Sequence, residues 1–207
     1  DRVSEANLGR QLFAEAELGL FKSAVLVNRV NRFFGTNWKA VTSKFEAGQL
    51  DYFPNEGKAN LFISCVDNVR ARLGIAEVLR ELGEARSYER NKLLYWMDLG
   101  NSRQTGQAVL STVTPIEQPI SEKYKTVASL PKVTDEFRFL LEESNRNDDT
   151  PSCSVAEALA KQDLFINPAL SNLGASLLWQ LFREGMLFNR GFFLNLNDFR
   201  AQPLKVA

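Results

Sequence analysis

Leu61-Phe62-Ile63-Ser64-Cys65-Val66 is a short, continuous apolar run that stops at Asp67-Asn68. A run without alternation suits a strand covered on both faces, and such strands belong to parallel sheets flanked by helices. A helical pattern over residues 69–82 follows at once, and residues 93–99 and 106–113 again read as strands. Strand, helix and strand joined by short connections predict an α/β fold: a Rossmann-like layered sheet with flanking helices. Ligands of such sheets gather beyond the carboxyl ends of the strands. Asp67 stands just past one such end, which gives it a functional position.

The rest of the chain fits around that sheet. Residues 4–15 read as a helix with Ser4 as N-cap and Ala6, Leu8, Leu12 and Phe13 as apolar cover. Residues 20–34 read as a second helix, striped by Ala24, Val27 and Val30 and ending before Gly35. Val41, Ser43 and Phe45 alternate and suggest a strand over 40–45. Residues 114–152 hold Pro115, Pro119, Pro131 and Pro151 and a polar run from Glu142 to Asp149; they read as a long excursion with one short helix. Excursions of that size are usually functional or mobile. Residues 166–184 form a strong amphipathic helix pattern, and 186–188 and 192–196 are expected to pair as a hairpin through Asn189-Arg190-Gly191. The whole chain, 1–207, reads as one domain.

Composition excludes several classes of function. Lys+Arg and Asp+Glu are 25 each, so no global field draws in nucleic acid or an anionic membrane. There is no histidine. Ser/His/Asp and Cys/His catalysis and every histidine-ligated metal site fall away. Cys65 and Cys153 are the only cysteines, too few for a four-cysteine zinc site and in keeping with a reducing cytoplasm. No apolar run reaches the ~18 residues of a membrane span.

What remains is a set of polar residues suited to phosphate chemistry. Asn7, Arg10 and Lys22 offer an amide and two cations able to grip a polyphosphate, and Asp67 can hold a magnesium ion beside it. Fixed positive charge and a divalent metal are what nucleotidyl transfer needs, because charge builds on the phosphates in the transition state. Taken singly, Arg10 and Lys22 read equally well as surface cations, and Asp67-Asn68 as a helix cap. Cys65, inside the apolar strand, reads as a core residue. Tyr95 and Trp96 also read as core. Asp98 and Asn101 close their strand at the same sheet end as Asp67.

The wording of these segments, Ser4-x-x-Asn7-Leu8-x-Arg10-Gln11, then Lys22, then Cys65-x-Asp67-Asn68, resembles the ThiF/MoeB and ubiquitin-activating enzyme superfamily. Trp96–Asn101 and Arg190–Leu196 resemble one bacterial branch, the ThiF-related protein of the PRTRC cassette, which includes a ubiquitin-like protein. The resemblance implies ATP-dependent adenylation of the C-terminal carboxylate of a ubiquitin-like or sulfur-carrier protein. It implies that Asn7, Arg10 and Lys22 contact ATP phosphates and that Asp67, with Asn68 beside it, holds Mg2+. It implies a homodimer, and that Asp98 and Asn101 line a channel for the partner's C-terminal tail. It also implies that a strand, a glycine-rich phosphate loop and a helix precede Asp1. None of the 12 glycines forms G-x-G-x-x-G, so the alternative is a protein that has lost that loop.

Cys153 lies at an expected loop-to-helix junction, where helix amides favour the thiolate. Pro151-Ser152-Cys153-Ser154 resembles the P-x-C-T segment that carries the thioester cysteine of ubiquitin-type activating enzymes. Ser154 replaces the threonine, and the downstream histidine of that segment is absent. The expected enzyme is thus an adenylyltransferase with Arg10, Asp67 and Cys153 as its catalytic residues. The competing readings are an inactive scaffold that binds the same partner, and a nicotinamide-dependent oxidoreductase, for which no hydride-relay residue is evident.

Overall fold

The computed structural model describes residues 1–8, 11–43, 45, 59–84, 92–145 and 163–207. The chain divides into two compact units, Asp1–Phe45 with Thr150–Leu164, and Glu46–Asp149 with Phe165–Ala207.

In the first unit, the N-terminal residues lie antiparallel to residues 19–22. Val3 N donates to Leu20 O at 2.8 Å, Gly19 N to Val3 O at 2.9 Å and Lys22 N to Asp1 O at 3.0 Å. The Arg2 guanidinium covers the Phe21 ring at 3.9 Å. Helix α1, Lys22–Phe34, ends at Gly35 in the left-handed region with φ 65°, as its position after the apolar stripe predicts. The expected helix over 4–15 is not formed among its described residues. Two three-residue turns, Glu5–Asn7 and Glu15–Glu17, stand there instead. Polar side chains close each turn on itself: Asn7 Oδ1 accepts from Ser4 N at 2.9 Å, and Glu17 Oε2 from Ala14 N at 2.8 Å. Such local bonds compete with helix propagation. The Ala14 amide and the Arg29 guanidinium hold the Glu17 carboxyl below its usual range. The strand expected over 40–45 is also absent from its described residues; alternation over so short a run does not make a strand without a partner.

The second unit is built on a five-stranded sheet: β1 (Leu61–Ser64), β2 (Tyr95–Asn101), β3 (Thr105–Thr112), β4 (Asn189–Asn195) and β5 (Arg200–Lys205), adjacent in that order. β1 and β2 are parallel, with Ser64 opposite Asp98, and the other pairs are antiparallel. Helix α2, Val69–Glu84, follows β1. The short helices α3, Val133–Glu136, and α4, Arg138–Asn145, lie in the excursion, and α5 is Ile166–Glu184. The central strands are covered on both faces. On one face Trp96 packs with Leu79, Leu93, Val109 and Val133. On the other, Met97, Ala108 and Leu110 pack on Leu177 of α5, while Ile166 and Leu170 meet Leu194. Alternate residues of β2 therefore enter different cores, which is why that strand is apolar almost throughout.

α5 approaches closely because residue 174 has no side chain. A Cβ there would stand 3.0 Å from Met97 Cε. The described part of the excursion is fastened to the sheet. Buried Arg190 of β4 donates to Pro131 O at 3.3 Å and pairs with Glu136, and Tyr124 stacks on Phe188 at 4.4 Å. The expected hairpin of 186–188 with 192–196 is not formed; Asn189–Asn195 pairs instead with Arg200–Lys205. Asn189, Arg190 and Gly191 lie within β4, and the turn falls at 196–199, where Phe199 is 92% exposed. Asn189 and Gly191 look like turn residues, but Asn195 supplies the turn by accepting from Asn197 N and Asp198 N. β5 is an exposed edge strand and carries Pro203 opposite Phe192. Among the described residues no helix is long and apolar enough to cross a membrane.

Leu177 is buried against β2 and β3, so Leu177→Ala is expected to cost about 2–5 kcal/mol of stability. Urea unfolding followed by circular dichroism measures this, and an unchanged midpoint would contradict the packing of α5.

Candidate functional site

A buried polar cluster sits where β1 ends beside the middle of β2. Asp98 is 1% exposed and Arg72, from α2, is 4% exposed. Arg72 Nε donates to both Asp98 oxygens, at 2.8 and 2.9 Å. Ser64 Oγ donates to Asp98 Oδ1 at 2.7 Å, and Trp96 Nε1 donates to Ser64 Oγ at 2.8 Å. The second arm of the guanidinium, Nη2, donates to Val66 O at 2.9 Å. Each group is thereby partnered, as buried charges must be. Asp98 is closed off from solvent and ion-paired, so it does not line an open channel.

The β1–α2 turn lies directly above this cluster. Asp67 is exposed. Asn68 caps α2: its Oδ1 accepts from Ala71 N at 2.8 Å, while its Nδ2 donates to Asp67 Oδ1 at 3.0 Å. Asp67 thus holds a carboxylate at the amino end of a helix, where the dipole favours negative charge. Cys65 is exposed, contrary to its expected core position. It follows the last residue of β1, beyond the two covering layers. Enough protein still surrounds its thiol that lost hydration pushes its pKa up; Asp98 adds to this and Arg72 opposes it. A thiol kept protonated is a poor acyl acceptor.

Asn7 is buried, and its Oδ1 also accepts from Ser4 Oγ at 3.0 Å. Lys22 is the first residue of α1, with Nζ 3.9 Å from Asp1 Oδ2. Both belong to the first unit, and Asp67 and Asn68 to the second. Arg10 and Cys153 lie outside the described residues. Among the described residues no three His, Cys, Asp or Glu side chains gather. The donor set at Asp67, a single exposed carboxylate, fits an ion that takes one or two protein carboxylates and completes its shell with water and substrate phosphates, as Mg2+ does. On the face of the sheet that carries Asp98, an open cavity of about 490 Å3 runs over β3 to β5, lined by Gln107, Phe193, Asn195, Arg200 and Gln202.

Sequence reasoning missed Arg72. The clue was present: Val69, Arg72, Ile75 and Leu79 share one face of α2, and only Arg72 is charged. A cation inside an apolar stripe needs a buried partner.

No protein-family model matches the sequence, and no curated protein matches it significantly. Solved structures do resemble the fold. A crystal structure of selenomethionine PaaA superposes with a TM-score of 0.61 at 10% identity, covering 100% of this chain and 62% of PaaA. E. coli MccB with MccA-N7isoASN gives 0.58 at 11% identity, covering 100% of this chain and 55% of MccB. E. coli MccB with succinimide gives 0.57 at 13% identity, covering 100% and 54%. The chain therefore spans somewhat over half the length of these proteins. At such identities the likeness shows the fold alone, the α/β layered sheet that the apolar strands predict.

Asp98→Ala would leave Arg72 buried without a counter-charge and is expected to cost about 3–5 kcal/mol. Asp67→Ala, at an exposed position, is expected to stay within about 0.5 kcal/mol. Thermal melts of both variants check the contrast, and equal losses would refute the division between buried and exposed carboxylate.

Proposed function

We propose that this chain forms part of an ATP-dependent enzyme that adenylates the C-terminal carboxylate of a ubiquitin-like or sulfur-carrier protein. The observation that carries the reading is Asp67: an exposed carboxylate at the carboxyl end of a parallel strand, at a helix amino terminus, braced from beneath by a buried ion pair. The fold shared with MccB, whose crystal structure contains MccA-N7isoASN, is in keeping with this reading.

In this reading a carboxylate oxygen of the partner's last residue attacks the α-phosphorus of ATP. The bond to the bridging oxygen breaks, pyrophosphate leaves, and an acyl adenylate remains. Mg2+ held by Asp67 would supply positive charge to the phosphates as this happens. Asn7, Arg10 and Lys22 are assigned to the phosphates. The cavity over β3 to β5 suits an extended tail, offering amide side chains to its backbone and Phe193 to its apolar groups. A second step, attack of the Cys153 thiolate on the acyl adenylate with release of AMP, follows from the Pro151–Ser154 segment.

The full-length protein, mixed with a ubiquitin-like protein ending in glycine, is expected to exchange labelled pyrophosphate into ATP. Asp67→Ala is expected to lower that rate at least ~100-fold, the scale for losing one preorganised charge. Exchange unaffected by Asp67→Ala would overturn the assignment, and tight partner binding without exchange would move the protein to the scaffold reading. Cys153→Ser is expected to abolish a thiol-sensitive covalent adduct while leaving exchange intact.

A further inference from the structure

We propose that Arg72 is a positioning residue that sets the β1–α2 turn and so aims the Asp67 carboxylate; this rests on the reading of Asp67 as the metal-holding group. The guanidinium does two things at once. Nε grips both oxygens of Asp98 at 2.8 and 2.9 Å, and Nη2 holds the Val66 carbonyl at 2.9 Å. Val66 is the residue before Asp67. The arginine therefore ties the backbone entering Asp67 to the middle of β2. The base of the brace is itself fixed, because Ser64 Oγ donates to Asp98 Oδ1 at 2.7 Å. On the other side of Asp67, Asn68 is anchored by its bond from Ala71 N at 2.8 Å. Asp67 is the one exposed carboxylate between two anchored neighbours.

Two features separate this role from mere burial of a charge pair. A lysine could neutralise Asp98, but it lacks the rigid fork that reaches Val66 at the same time. The strand beside the guanidinium also leaves room for it. A Cβ on Gly100 would lie 2.6 Å from Arg72 Nη2 and 2.5 Å from Gln107 Nε2. Two substitutions therefore release the turn while keeping a cation beside Asp98. Arg72→Lys removes the fork, and Gly100→Ala places a methyl group where Nη2 lies.

The test uses the full-length protein. Amide hydrogen exchange over residues 65–71, read by mass spectrometry without ligands, is expected to quicken by at least ~tenfold in both variants and to stay unchanged in β3 and β4. In pyrophosphate exchange, the half-saturating Mg2+ concentration is expected to rise and kcat to fall ~10–100-fold, the usual effect of losing an outer partner of a metal ligand, with KM for ATP within ~twofold. Wild-type hydrogen exchange over 65–71, or an unchanged Mg2+ dependence, in folded variants would overturn the proposal and leave Arg72 as a buried counter-ion. If Arg72→Lys does not fold, Gly100→Ala decides. The two readings fail separately: activity that survives Asp67→Ala refutes the adenylation site, whereas hydrogen exchange reports on the brace alone.

Discussion

The Arg72–Asp98 pair is the interaction on which the local architecture of the second unit depends. Burying two charges is costly, and the mutual attraction of a buried pair offsets that cost only when the remaining hydrogen bonds are also made. Here they are made by Ser64 Oγ and Val66 O. The pair is thus a joint among three elements, linking the end of β1, the first turns of α2 and the middle of β2. An apolar pair of similar size would pack these elements together but would not fix the direction of a carbonyl.

This joint sits where a layered α/β sheet commonly keeps its ligand site. The parallel β1–β2 step brings the end of one strand beside the body of the next, with Ser64 level with Asp98. The helix that follows β1 starts at that level, and its capped amino end faces the same region. Beyond β2 the sheet turns antiparallel, and a broad surface replaces the helix-covered one. The result is a polar ledge at Asp67 and, on the same face, an open cavity over β3 to β5 lined in part by amide side chains.

Much of this was legible in the residues. The run Leu61–Val66 announced a strand that pairs parallel to β2, though its cover is incomplete and Ile63 is 53% exposed, and α5 over Ile166–Glu184 was readable from its stripe of leucines. Long elements with one strong period are set by burial, which the residues state directly. The short ones are not. Residues 4–15 carry enough apolar groups for a helix, yet the Asn7 and Glu17 side chains capture the backbone first. In the hairpin, Asn189-Arg190-Gly191 has turn chemistry, but Arg190 is needed inside the sheet to bind Glu136 and Pro131 O. Cys65 looked internal because its neighbours are apolar; one step past the strand's end the cover stops. Arg72 was hidden for a related reason, since its partner Asp98 is distant in sequence and only the β1–β2 register brings them together.

The lone proline of β5 bears on how this protein behaves at high concentration. Pro203 cannot donate to a ladder, and Arg200 and Lys205 put charge at both ends of the same strand. An incoming strand at that edge would meet a missing donor and two cations that a like-charged copy repels. The β5 border of the sheet is therefore closed to cross-strand self-association, so copies of this unit do not add to one another through its C-terminal strand.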